Sequence, residues 1–397
     1  LAAPARRVTR TAMLLQLPRR ARWLTVAVFA LIAVGRADVL PDDRTDLLYH
    51  HFEGGGIEVQ GPSVLVRKKI GDSVSLSYQY YLDMISSASI DVVTQASPYK
   101  EKRTQQNFGV DYLHNNTLYS FGYISSVEPD YNSKTGFFNV SQSLFGDLTT
   151  INFGYTGGWD IVGRADKGIV QPFRADADRR NYQVGLSQVL TRNLLLGLNF
   201  ETDESEGYLH SPYRSVRYID PTVVRGYSYE PERYPGTRTS NAASAQIKYY
   251  LPFHAALDGT YRFYTDTWGI QANTFQLGYT QPAFTSWTFN GSLRYYAQRH
   301  ASFYSDLFPY ANAQNFMARD RELAQFHSVT ADLGATWQFH PGWPSWIQKG
   351  TVNLDVQRMM IDYQDFHDVL IPTPVPGDEP LYKLDATVME FFISFWY

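Results

Sequence analysis

Residues 73–84 read SVSLSYQYYLDM. In an extended chain Val74, Leu76, Tyr78, Tyr80, Leu82 and Met84 share one face, and Ser73, Ser75, Ser77, Gln79, Tyr81 and Asp83 share the other. A helix, turning about 100° per residue, would scatter this set around its circumference. An apolar face backed by a polar one over about ten residues is the pattern of a strand standing between lipid and an aqueous interior.

The pattern recurs towards both ends of the chain. Phe108, Val110 and Tyr112 oppose Asn107, Gly109 and Asp111; Ile151, Phe153 and Tyr155 oppose Thr150, Asn152 and Gly154. Leu194, Leu196, Leu198 and Phe200 alternate with Gly197, Asn199 and Glu201, and Trp287, Phe289, Leu293 and Tyr295 with Thr288, Asn290, Ser292 and Arg294. Short connections rich in Gly, Asn and Asp, such as Gly71-Asp72, Asn115-Asn116 and Gly146-Asp147, alternate with long stretches at roughly 86–103, 159–180, 204–238, 298–326 and 364–379. These features predict an all-β, membrane-spanning, antiparallel up-and-down barrel with short periplasmic turns and long extracellular loops. Fifteen strands can be traced from Ile57 to Tyr397. Bacterial barrels have even numbers of strands, so Leu47–Phe52 is read as one more, turning at Gly54-Gly55-Gly56. Sixteen strands result, with fourteen as the alternative. A β-propeller repeat of roughly 40 residues is absent, and a soluble sandwich has no reason to turn so many aromatics outward.

Composition agrees. The chain has 397 residues, no Cys, 29 Tyr, 24 Phe and 8 Trp, and a net charge of -4. Without Cys, disulfides, thiolate metal sites and cysteine nucleophiles are excluded. The charge gives no polyanion-binding surface over the chain as a whole, so nucleic acid is not an expected partner. Tyr and Trp, apolar with a polar tip, collect at membrane–water interfaces.

At the N-terminus, Arg19, Arg20 and Arg22 precede an apolar run from Trp23 to Val34, and Gly35-Arg36-Ala37 follows. This reads as a signal peptide over 1–37 cleaved after Ala37, with Met13 as the natural start, followed by a single barrel domain over 38–397. The run is too short to span as a helix. At the other end Met389, Phe391, Ile393, Phe395 and Tyr397 form an alternating apolar face on a terminal aromatic. It is similar to the signal read by the barrel assembly machinery, and it sends the last strand down into the periplasm.

The stretch LYHHFEGGGIEVQGPSVLVRKKIGDSVSLSYQYYLDMISSASIDVVTQASPYKEKRTQ (48–105), above all GPSVLVRK (61–68) and SSASIDVVT (86–94), resembles the bacterial family designated domain of unknown function 3570 (DUF3570), as do GVDYLH (109–114) and LFGDLTTINFGY (144–155). The resemblance implies an outer-membrane protein of a Gram-negative bacterium, with no established activity and no defined site residues. It also implies a genetic setting near flavin-transferase and small lipoprotein genes, and so an extracytoplasmic redox connection.

Alternation places Asp83, Asp111, Glu201, Asp258, Asp332, Asp355 and Glu390 on the lumen side with Lys248, Arg262 and Arg294, joined by Arg67. That wall is either a mildly acidic constriction favouring cations or a lattice of ion pairs satisfying a polar interior. His50, His51 and Glu53 form the one tight group of metal-ligand types, but His50 opposes the other two across the strand, and a closed site needs three or four ligands. No cofactor is expected. Ser86, Ser87 and Ser89 lie near Asp91, with His50 a conceivable base, but no G-x-S-x-G is present and no catalytic residue is assigned. The 204–238 stretch, with Tyr208, Tyr213, Arg214, Arg217, Tyr218, Arg225, Tyr227, Tyr229, Arg233 and Tyr234, suits an extracellular partner, a saccharide or anionic lipopolysaccharide. Three readings follow: a porin-like channel or transporter for small polar solutes; a plugged barrel docking a partner such as a periplasmic lipoprotein; and a barrel hydrolase.

Overall fold

The computed structural model describes residues 39–87, 99–164, 173–342 and 344–397. The expected signal peptide and its Met13 start fall outside these residues, as do Ser89 and Asp91. The strands are β1 (Arg44–Gly54), β2 (Ile57–Ile70), β3 (Val74–Ser87), β4 (Tyr99–His114), β5 (Thr117–Glu128), β6 (Tyr131–Leu144), β7 (Thr149–Gly163), β8 (Arg174–Thr191), β9 (Leu194–Gly207), β10 (Ser215–Ile219), β11 (Tyr227–Pro231), β12 (Thr237–Tyr250), β13 (Ala256–Asp266), β14 (Gln271–Ala283), β15 (Trp287–Gln298), β16 (Phe326–Phe339), β17 (Lys349–His367) and β18 (Leu381–Trp396). Sixteen of them close into one antiparallel barrel, while β10 and β11 form a separate two-stranded sheet. The strand inferred from Leu47–Phe52 is β1, and it closes the barrel against β18 with Arg44 opposite Trp396 and Gly54 opposite Ala386.

The wall is apolar outside and polar inside. Leu76, Tyr78 and Met84 of β3 are exposed, whereas Ser75, Tyr81 and Asp83 are buried. A soluble barrel would reverse this, so the outward band is a lipid surface. Tyr112 with Tyr119, and Trp287 with Trp337, pair beside tight turns at one end, as expected of an aromatic girdle. That end carries the turns at 71–73, 115–116, 145–148 and 192–193. The other end carries the long loops, but also the two-residue turn Gly55-Gly56, whose φ of 57° and 75° suit a tight hairpin that residues with a Cβ resist.

The long loops are shorter than the hydropathy suggests. β4 begins at Tyr99, β8 at Arg174, and β9 runs to Gly207. The outward residues on these extensions are Lys100, Lys102, Asp178, Arg180, Glu204 and Glu206, all exposed. The hydrogen-bonded ladder continues past the lipid into water, where nothing selects an apolar face, so the alternation fades before the strand does.

Candidate functional site: a charged lumen beneath an interlocked cap

Register places all eleven charged positions read as lumen-facing on the inner face, and several of the acids are held by arginines. Asp83, fully buried, is ion-paired to Arg103 and lies 2.8 Å from His50 Nε2. His50 stacks on Tyr81 at 5.0 Å and 8°, with the Tyr81 hydroxyl 3.2 Å from its Nε2. Asp111 accepts from Arg67 and, at 2.5 Å, from Ser120 Oγ. Glu201 accepts from Arg262 at 3.3 Å and from Asn181 at 3.0 Å. Lys248 stands opposite Asp258, and Arg294 opposite Gln276 and Thr330. Asp332 is reached by Ser292 Oγ at 3.4 Å. Asp355 faces Glu390 across the β17–β18 ladder, and Glu390 faces His50 across β18–β1.

The wall also carries arginines that the hydropathy pattern hides. Arg103, Arg179 and Arg238 lie at strand ends that read as loop, and they pair with Asp83, Asp160 and Asp266. Their signal in the sequence is parity alone: each continues the inward alternation of its strand upward. Such pairing keeps a polar interior satisfied, since breaking one member of a buried pair strands the other charge.

The metal-ligand group is not assembled. His50 points inward, while His51 lies on the outward face, 3.9 Å from Glu53 and 4.0 Å from Glu58. Among the described residues no group of three or more His, Asp or Glu is arranged to hold a metal. Ser86 lies on the outward parity of β3, opposite Glu58, so the wall separates it from His50.

The second part of the site is a cap at the long-loop end. The 208–236 loop, which carries β10 and β11, is stitched to the 299–325 loop by backbone bonds. Phe308 N–H donates to Arg217 O at 2.9 Å, and Met317 and Arg233 exchange bonds of 2.8 and 3.0 Å. Arg217 is fully buried and donates from both Nη atoms to Glu379 of the 368–380 loop, at 2.7 and 3.1 Å, and from Nη2 to Asp306. Arg319 Nε and His367 Nδ1 each lie 2.9 Å from the same Asp306 carboxylate. Burial opposes ionisation of Asp306, but Arg319, the His367 hydrogen bond and Arg217 outweigh it and hold the carboxyl well below the usual range.

The cap is seated in the mouth of the barrel. Phe303, Tyr304, Ala318 and Leu323 of the 299–325 loop join one buried apolar cluster with Phe52, Ile57, Val59, Ile85, Ile361, Leu384 and Val388, inward residues near the upper ends of β1, β2, β3, β17 and β18. The inner face is therefore apolar where the cap rests and charged below it. Tyr234, Trp268 and Phe303 meet edge-on at 5.3–5.4 Å within this cluster. Beside Asp306 a cavity of about 410 Å³ is lined by His300, Tyr304, Gln364, Asp365 and His367.

A closed antiparallel wall that is apolar outside and polar inside is the build of outer-membrane barrels. The chain is similar to CdiB from Acinetobacter baumannii (12% identity, TM-score 0.37, covering 88% of this chain and 60% of that one). It is also similar to a bacterial polysaccharide outer membrane secretin (8%, 0.45, covering 90% and 99%) and to a Pseudomonas aeruginosa FadL homologue (11%, 0.41, covering 89% and 90%). It thus spans less than two thirds of the length of CdiB. No curated protein matches it. The family model described as protein of unknown function (DUF3570) matches residues 87–349, and the chain belongs to that family.

Proposed function

We infer that this protein is an outer-membrane channel or transporter for small polar solutes, whose outward mouth is covered by a folded cap. The observation that carries the reading is the inner wall: below the apolar seat of the cap, inward positions are polar or charged in strand after strand. A sixteen-strand barrel encloses enough width for an aqueous path. Asp332, Asp355 and Glu390 on adjacent strands give that path an acidic sector favouring cations. No residue is assigned a catalytic role.

In this reading the chain reaches the outer membrane of a Gram-negative bacterium after removal of residues 1–37. Met389, Phe391, Ile393, Phe395 and Tyr397 present the assembly signal, and the long loops face the lipopolysaccharide side. Single-channel recording of the refolded protein in planar bilayers tests it. Stable conductance steps with cation preference are expected, and a correctly inserted but silent barrel would refute the channel. Such silence would favour a second reading, a closed barrel docking a periplasmic lipoprotein or redox partner. Its support is the wholly buried Arg217, which ties the cap shut.

A further inference from the structure

We infer that the lumen holds a recognition station for small zwitterions such as α-amino acids, with Arg294 taking the carboxylate and a lower row, Asp258 and Asp332, taking the ammonium group. Passage of the solute rests on the channel reading; its binding does not.

Arg294 differs from the other inward arginines. Arg67, Arg103, Arg179, Arg238 and Arg262 pair with Asp111, Asp83, Asp160, Asp266 and Glu201 respectively. Among the described residues Arg294 has no hydrogen bond or ion pair. The ionisable groups that act on it are Tyr296 and Arg262, and no carboxylate is among them. It is half-buried on the inward face, so its guanidinium is reached from the lumen. A guanidinium whose donors the protein leaves unmet is a ready fork for a planar carboxylate, held through two parallel hydrogen bonds.

The residues level with it are in the same condition. Across β13 to β16 the register sets Thr260 opposite Gln276, Gln276 opposite Arg294 and Arg294 opposite Thr330. Among the described residues the side chains of Thr260, Gln276 and Thr330 have no hydrogen-bond partner either. A wall that elsewhere satisfies its own polar groups thus leaves one row of donors and acceptors turned to the lumen, as a binding surface requires.

The next inward row, two residues nearer the periplasm, carries the opposite charge. There Asp258 stands opposite Gly278, Gly278 opposite Ser292 and Ser292 opposite Asp332. The Asp258 carboxylate lies over Gly278, where a Cβ would meet it at 2.5 Å. Ser292 Oγ lies 3.4 Å from Asp332. Both carboxylates therefore lean towards the Gly278–Ser292 pair, directly beneath Gln276 and Arg294. The rows are about 7 Å apart along the strands, a step that a small solute and the arginine side chain bridge between them. A simple anion is repelled by the lower row and a simple cation by Arg294, whereas a solute with both charges satisfies both. The station lies close under the cap. Tyr296, next above Arg294 on the inward face, packs on Phe326 at 5.5 Å, and Phe326 packs against the apolar seat.

Two measurements on the full chain refolded into lipid vesicles test this. The first is modification by the arginine reagent phenylglyoxal, mapped by mass spectrometry, which needs no passage of solute. Arg294 should react ahead of the five paired inward arginines. L-alanine should shield it, and arabinose, a neutral solute of similar size, should not. Absence of shielding by L-alanine, or equal shielding by acetate, would overturn the station. The second is uptake of radiolabelled L-alanine, read against arabinose. Uptake should saturate, and Arg294→Gln should raise the half-saturation concentration about tenfold or more, as expected for loss of a hydrogen-bonded charge. Arg294→Lys, which keeps the charge without the fork, should fall between. Saturable uptake that Arg294→Gln leaves unaltered would also overturn the station. A barrel that passes neither solute while L-alanine shields Arg294 refutes the channel and keeps the station. One that passes both without saturation or shielding does the reverse.

Discussion

The guanidinium of Arg217 holds the carboxylate of Glu379 through two hydrogen bonds, of 2.7 and 3.1 Å, across 162 residues of sequence. Asp306 lies on the other side of the same guanidinium, so one buried cation joins three loops. Replacing Arg217 with Ala leaves two carboxylates buried without it, a loss of about 3–5 kcal/mol. The strand ladders are untouched. Limited proteolysis should show cleavage within 208–236 while the barrel keeps its folded mobility on unboiled gels.

Asp306 gives a sign test at low pH. Its carboxyl is held well below the usual range, so its contribution is full above the ordinary value and is lost only as pH falls through the depressed one. Arg217 and Arg319 should therefore stay docked through mild acid. Asp306→Asn should open the cap at every pH, read as faster amide exchange in 304–319 with no midpoint between pH 4 and 8.

Leu333, 71% exposed on the outward face of β16, separates lipid from lumen by contrast with its neighbour. Leu333→Arg places a charge in hydrocarbon and should destabilise the folded barrel by about 2–4 kcal/mol in urea titrations from vesicles. Asp332→Asn, one residue earlier but inward, should change stability less and lower the cation preference of the conductance.

Gly61 admits no side chain. A Cβ there would lie 1.8 Å from the Leu82 carbonyl oxygen, a backbone atom that cannot swing aside. Around it the β2–β3 pairing passes from Gln60–Met84 to Ser63–Tyr81. Gly61→Ala should lower stability by at least about 1–3 kcal/mol and slow folding into vesicles, followed by Trp fluorescence.

The barrel was legible because the lipid imposes its own period. Tyr78, Tyr80 and Leu82 alternate with Gln79 and Tyr81 as strictly as they do because each outward position must tolerate hydrocarbon. Where lipid stops, that constraint stops too, which is why Arg103, Arg179 and Arg238 read as loop although they line the wall. His50 reads beside His51 and Glu53 in a linear chain, yet its partners are Tyr81 and Asp83, two strands away. The cap was not legible at all. Arg214, Arg217 and Tyr234 stand out by composition, but their partners Asp320, Asp306, Glu379 and Trp268 come from other loops, and no periodicity links residues that meet only in space.

The order of the chain gives the Arg217–Glu379 contact a further meaning. Glu379 lies just before β18, the strand that closes the barrel against β1. The last hairpin therefore supplies both the closing strand of the wall and the carboxylate that locks the cap: without it Arg217 has no bidentate acceptor, so its loss opens the barrel seam and the mouth together.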